Sequence, residues 1–109
     1  MSLNKAQHGD PWAVTAQDST SSVATKTGVA GKVHYITDIM GSSDKANSKI
    51  LVKDGTTVIW QGQILQTAAG IAIWSQKFEM PLAGTAGNSV SVTVDSTSYG
   101  SANIAGFTL

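Results

Sequence analysis

From residue 32 onward the chain alternates apolar and polar positions with a period of two, the spacing of a strand that has one face in a core. Lys32 to Met40 puts Val33, Tyr35, Thr37 and Ile39 on one face and His34, Ile36 and Asp38 on the other, and Gly41-Ser42-Ser43-Asp44 closes it as a turn. Lys49 to Lys53 and Thr57 to Gln61 flank Asp54-Gly55, a pair that tolerates positive φ and predicts a tight hairpin. A further strand is expected from Ile71 to Met80, long enough to change its inward face near Ser75-Gln76, with Pro81 ending its pairing. Ser89 to Asp95 is the cleanest alternation, with Val90, Val92 and Val94 on one side and Ser or Thr on the other. After a turn at Ser96 to Ser101, Ala102 to Leu109 supplies a closing strand, because a free tail would leave Phe107 and Leu109 in water at roughly 1.5–3 kcal/mol apiece. Trp60 to Gly70 is the best window for a helix, but it carries Gln61, Gln63 and Gln66 and reads as a strand end and a loop. The expected fold is therefore all-β, an antiparallel β-sandwich or small barrel of about six to eight strands.

Residues 1–29 read differently from residues 30–109. Asp18, Ser19, Thr20, Ser21 and Ser22 follow His8-Gly9-Asp10-Pro11, and Trp12, Val14 and Val23 are the sizeable apolar side chains after Leu3. Such a segment cannot make its own core. It is expected to be an extended N-terminal arm, with one short strand around Trp12 to Ala16 whose shared face is Trp12, Val14 and Ala16. Two fates are open to it: a loosely attached terminus, or an arm that orders on a neighbouring subunit and buries Trp12 there.

Composition removes several function classes. The 109 residues suffice for one domain with a core of its own. Seven Lys balance seven acidic residues and there is no Arg, which leaves no basic face or bidentate fork for nucleic acid. There is no Cys, hence no thiolate chemistry and no disulfide framework. The longest apolar run, Gly70 to Trp74, is far short of the ~20 residues that cross a bilayer, and Met1 to His8 lacks the apolar core of a secretory signal.

The chemistry-bearing residues are sparse and scattered. His34 and Asp38 share a strand face, but a metal wants three or four ligands, so a solvent-facing polar pair is expected and no metal. No Gly-x-Ser-x-Gly elbow is present, and Gly84-Thr85-Ala86-Gly87-Asn88 joins strands without the lysine of a phosphate loop. The single glutamate, Glu79, has no partner carboxylate in view. A non-enzymatic chain without cofactor is the expectation. Trp60 and Trp74 end apolar strand patterns and read as core or subunit-contact residues, or else as a platform for sugar rings.

The succession Lys32-Val33-His34-Tyr35-Ile36-Thr37, Ile50-Leu51-Val52-Lys53-Asp54-Gly55 with Ile59-Trp60, Pro81-Leu82-Ala83-Gly84-Thr85-Ala86-Gly87-Asn88 and Ala102-Asn103-Ile104-Ala105-Gly106-Phe107 resembles small β-sandwich proteins encoded among bacteriophage structural genes. It covers about residues 30–109. The resemblance implies a virion structural protein, a capsid decoration (cement) protein that binds and stabilises the head lattice, and it brings no catalytic residues with it. The implied partners are the major capsid protein or another virion protein. The implied location is the capsid surface, after synthesis in the host bacterial cytoplasm. A homo-oligomer suits that role, and a trimer in which each arm covers a neighbour's sheet edge is favoured. Trp12, Val14, Trp60 and Trp74 are then the expected subunit or lattice contacts. The alternative is a tail- or fibre-associated carbohydrate- or receptor-binding β-sandwich module, which requires Trp60 or Trp74 to be exposed.

Overall fold

The computed structural model describes residues 9–18, 21–64, 72–96 and 99–109. These hold eight strands: β1 (Asp10–Asp18), β2 (Ser21–Lys26), β3 (His34–Ser43), β4 (Lys49–Asp54), β5 (Thr57–Gln63), β6 (Ala72–Ala83), β7 (Val90–Asp95) and β8 (Gly100–Thr108). They form two four-stranded antiparallel sheets, ordered β1-β8-β3-β6 and β2-β7-β4-β5. Every connection except the β4–β5 hairpin passes from one sheet to the other, which is the eight-stranded jelly-roll form of a sandwich. The all-β sandwich expected from the alternation is thus the observed architecture.

The core lies where the two inner faces meet. Val90, Val92 and Val94 of β7, with Ile50 and Val52 of β4 and Ala24 of β2, pack against Ile36 and Ile39 of β3 and Ala102 and Ile104 of β8. The hairpin forms where expected, but its two-residue loop is Gly55-Thr56 and not Asp54-Gly55: Asp54 pairs with Thr57 inside the ladder, and Gly55 alone takes a positive φ, 60°. An extra residue in β5, Ile59, makes a β-bulge where Val52 pairs with Trp60 and Lys53 with Val58. The turn is then tied to the β6–β7 connection. The Asp54 carboxylate accepts hydrogen bonds from the Thr85 amide (3.0 Å), the Thr85 hydroxyl (2.6 Å) and the Asn88 side-chain amide (3.2 Å), while the Gly55 amide donates to the Ser89 carbonyl at 2.8 Å.

Gly41, Ser42 and Ser43, expected in a turn, continue β3 and pair with both β6 and β8, and Gly100 and Ser101 likewise open β8 and do not turn. Three larger expectations change. The sandwich does not begin after residue 29, because β1 pairs along the whole of β8, from Asp10–Thr108 to Asp18–Gly100, and β2 pairs with β7. The segment is extended, and Trp12, Val14 and Ala16 do share a face, but that face packs against the chain's own core. A polar composition misleads here because an edge strand needs only alternate apolar residues, and its backbone pairing does not depend on side-chain type. The part of the arm before Gly9 lies outside the described residues, as do Ile71 and the loop expected up to Gly70.

The second change concerns β3, whose inward face is not Val33, Tyr35, Thr37 and Ile39. His34 and Ile36 are fully buried, then Ile39. Thr37 and Asp38 both stand opposite Ala105, a β-bulge that inserts one residue and reverses the alternation. Third, Pro81 does not end the pairing of β6. Between the Asp38–Lys77 and Ile36–Leu82 pairs, Phe78, Glu79, Met80 and Pro81 bulge out, and pairing resumes through Leu82 and Ala83. β6 is a sheet edge, where a missing N–H is tolerated, and the irregularity sits C-terminal to the expected Ser75-Gln76.

Candidate functional site

The residues singled out in the sequence go to the two open sides of the sandwich. On the β1–β2 side Trp12 lies over Gly106, its partner across the β1–β8 ladder, edge-on to His34 with ring centroids 5.6 Å apart. A side chain at position 106 would also run into the Tyr35 carbonyl oxygen, so this close approach of β8 to β3 requires glycine. The Lys26 ammonium stands 5.8 Å from the Trp12 ring centroid. The Trp12 indole N–H donates to the Thr108 hydroxyl at 3.0 Å, and that hydroxyl lies 2.6 Å from His34 Nδ1. His34 Nε2 is 2.8 Å from the Thr27 carbonyl, which only accepts, so Nε2 carries a hydrogen and Nδ1 accepts from Thr108. One chain of hydrogen bonds therefore links β1, β8, β3 and the β2–β3 connection.

His34 and Asp38 do not form the solvent-facing pair expected of them. The bulge at Thr37 sends His34 inward and Asp38 outward, where Asp38 accepts from the Thr37 hydroxyl at 2.9 Å. Among the described residues no three of His, Cys, Asp and Glu come together to hold a metal, and no helix is long and apolar enough to cross a membrane.

On the β5–β6 side Trp60 meets Phe78 edge-on across the sheets at 5.6 Å, and Trp74 covers Gly41. Both tryptophans are half-buried and pack on the core cluster, as does Val14. The structure thus gathers none of Trp12, Val14, Trp60 and Trp74 into an outward platform. Trp12 and Val14 line one inner edge, and Trp60 and Trp74 the other.

The feature that could receive a partner is the outer face of sheet β1-β8-β3-β6, which the sequence reading passed over. Pairing stacks its side chains into rows across four strands: Ala13, Ala105, Asp38 and Lys77; then Thr15, Asn103, Met40 and Ser75; then Gln17, Ser101, Ser42 and Ile73. Most are small, so two adjoining hollows open beside the larger ones. One, about 490 Å³, lies over the first two rows, and one of about 410 Å³ lies between Met40, Ser42, Ile73 and Ser101. Met40 is 52 % exposed and Ile73 85 % exposed, two apolar knobs on a floor of hydroxyl, amide and methyl groups. Ser42 and Ser101 share a hydrogen bond at 2.8 Å, and the Asn103 amide donates to the Met40 carbonyl at 3.3 Å, which fixes that floor. At one end Tyr35 and Phe107 stack with centroids 5.0 Å apart. The signal for this face was available as a second set of alternate positions on β8, Ser101-Asn103-Ala105-Phe107, too mixed in polarity to stand out without its neighbours.

No protein-family model matches the chain, and no curated protein does. Among solved structures it is similar to dimeric latent PorU from Porphyromonas gingivalis, with a TM-score of 0.36 and 7% identity over 89% of this chain. The chain spans 13% of the length of that one. A likeness at that level carries no assignment of fold or function.

Proposed function

We propose that this chain is a bacteriophage virion structural protein, a capsid decoration module that binds the head lattice as a homo-oligomer through the outer face of sheet β1-β8-β3-β6. The observation that carries the reading is that face itself. Exposed Met40 and Ile73 stand on a contiguous floor of small side chains, rimmed by Asp38, Lys77 and Gln17, and the hollows beside them leave room for a partner's side chains. The strand and turn wording of residues 30–109 supports the virion setting. Two packed sheets give such a module the rigid platform that docking without large rearrangement needs.

The test is co-sedimentation of the full chain with empty capsid shells beside the Met40→Glu variant, whose side chain is already in solvent. Wild type is expected to bind shells, and Met40→Glu to lose at least tenfold in affinity while melting at the same temperature, as a charge buried in an apolar contact costs more than ~1.4 kcal/mol. Failure of the wild type to bind shells, or equal binding by the variant, defeats the reading. The carbohydrate alternative needs an outward tryptophan, and the packing of Trp60 and Trp74 on the core takes that support away. Glycan addition is accordingly expected to leave tryptophan fluorescence unchanged.

A further inference from the structure

We propose that the first half of β6, Ala72 to Lys77, pairs antiparallel with the same segment of a second copy about a two-fold axis at Ser75, joining two four-stranded sheets into one of eight. The inference deepens the homo-oligomer of the proposed function and rests on that part of it.

The phase of the ladder supplies the first argument. The Asp44 amide donates to the Tyr99 carbonyl at 3.2 Å, so in this stretch the even residues of β3 bond to β8. The odd residues Ile39, Gly41 and Ser43 then bond to Gln76, Trp74 and Ala72 of β6. Ile73, Ser75 and Lys77 are left to direct their N–H and C=O groups out of the sheet edge, and among the described residues no strand lies beyond.

The second argument is how unevenly that edge is defended. Its second half carries Glu79, Pro81 and a four-residue bulge, the devices by which sheets avoid edge-to-edge pairing. The first half is regular against β3 and has no charge before Lys77. Of the other three edges, β1 has an aspartate at each end and Pro11, β5 is bent by its bulge at Ile59, and β2 is a six-residue strand that ends on Lys26.

Register and symmetry follow from the phase. An antiparallel ladder joins outward-directed residues to each other, and only an axis at Ser75 uses all three within Ala72 to Lys77: Ser75 against Ser75, and Ile73 against Lys77 twice. Ile73, 85 % exposed in the single chain, then lies beneath the aliphatic stem of the second copy's lysine, whose ammonium stays in water. A two-fold closes on itself, so the product is a dimer and not a fibre. Both outer faces come to lie on one side of the joined sheet, which doubles the docking face.

Light scattering of the full chain, with the variants Ser75→Pro, Ile73→Lys, Ser75→Cys and Thr25→Cys, tests this. Wild type is expected at twice the 11.3 kDa chain mass. Ser75→Pro removes an N–H that the chain's own fold does not use, so it is expected to be a folded monomer with unchanged circular dichroism. Ile73→Lys gives the same result by charge should the proline variant misfold. The chain has no cysteine of its own, so mild oxidation of Ser75→Cys is expected to yield a covalent dimer, since an opposed hydrogen-bonded pair sits ~5.5 Å apart at Cα, within disulfide reach. Thr25→Cys, exposed on the other sheet, is expected to stay uncrosslinked. A wild-type monomer, or a dimer that both Ser75→Pro and Ile73→Lys leave intact, overturns the inference. Shell binding separates the two claims: a β6-dependent dimer that ignores shells defeats the lattice reading alone, and a shell-binding monomer defeats this inference and the homo-oligomer it rests on while lattice binding stands.

Discussion

The Thr108 hydroxyl accepts from Trp12 and donates to His34, so replacing it orphans two ring nitrogens at once. Thr108→Val keeps the shape and is expected to cost about 2 kcal/mol of unfolding free energy, at about 1–3 per buried group left without a partner. Urea unfolding with an unchanged slope checks it. Ser48 gives the opposite case, because its buried hydroxyl has no hydrogen-bond partner among the described residues. Ser48→Ala is expected to be neutral or to stabilise by up to about 1 kcal/mol in the same experiment. Val90, Val92 and Val94 were legible as core from their spacing alone, and all three are fully buried. His34 was not, because one inserted residue at Thr37 reverses which set of β3 positions faces inward. A trace of it stands in the sequence: the three-residue step from Ile36 to Ile39 breaks a strict period of two.

At the scale of elements, the β4–β5 hairpin was readable because its determinant is local, a glycine placed where the chain must take φ 60°. Its attachment to the β6–β7 connection was not readable, since Asp54 lies 31 residues from Thr85. Partial burial would raise the Asp54 pKa, and the hydrogen bonds from the Thr85 hydroxyl, the Thr85 amide and Asn88 together outweigh it and hold the carboxyl below its ordinary value of 3.8. A carboxylate held low in the folded chain adds stability that is fully present above 3.8 and is lost as the pH falls through the lower folded value. The stability gap between wild type and Asp54→Ala is therefore expected to be constant from neutral pH down to about 5 and to shrink below 3.8, measured by denaturant titration across that range. A gap that widens on acidification would contradict it. Pro81 shows the limit of reading an element by its breaker, since on an edge strand proline interrupts pairing without ending the strand.

On the scale of the whole molecule, the jelly-roll order sets β1 beside β8 and β2 beside β7, so the N-terminal segment is two edge strands and not an appendage. A chain beginning at Thr27 loses Trp12, Val14 and Ala24 from the core and bares β8 and β7 as new edges. It is expected to lose its cooperative thermal transition by circular dichroism, and a clean transition near that of the full chain would show the two strands to be dispensable. Because Trp12 is satisfied within its own chain, oligomerisation is better sought at the outer face of sheet β1-β8-β3-β6 and at its β6 edge.

What the sequence determined by itself is what short-range physics controls. Period-two alternation marks strands, Asp54-Gly55 marks the hairpin, and the missing arginine and cysteine remove whole chemistries. The tertiary structure alone decided which strands pair, where β3 reverses its faces, that Trp60 and Trp74 turn inward, and which small side chains line up on the outer face of sheet β1-β8-β3-β6. Those outcomes depend on partners far away in the chain, such as Ala13 with Ala105. A backbone ladder accepts almost any residue, so the choice of partner falls to the packing of the two sheets as a whole.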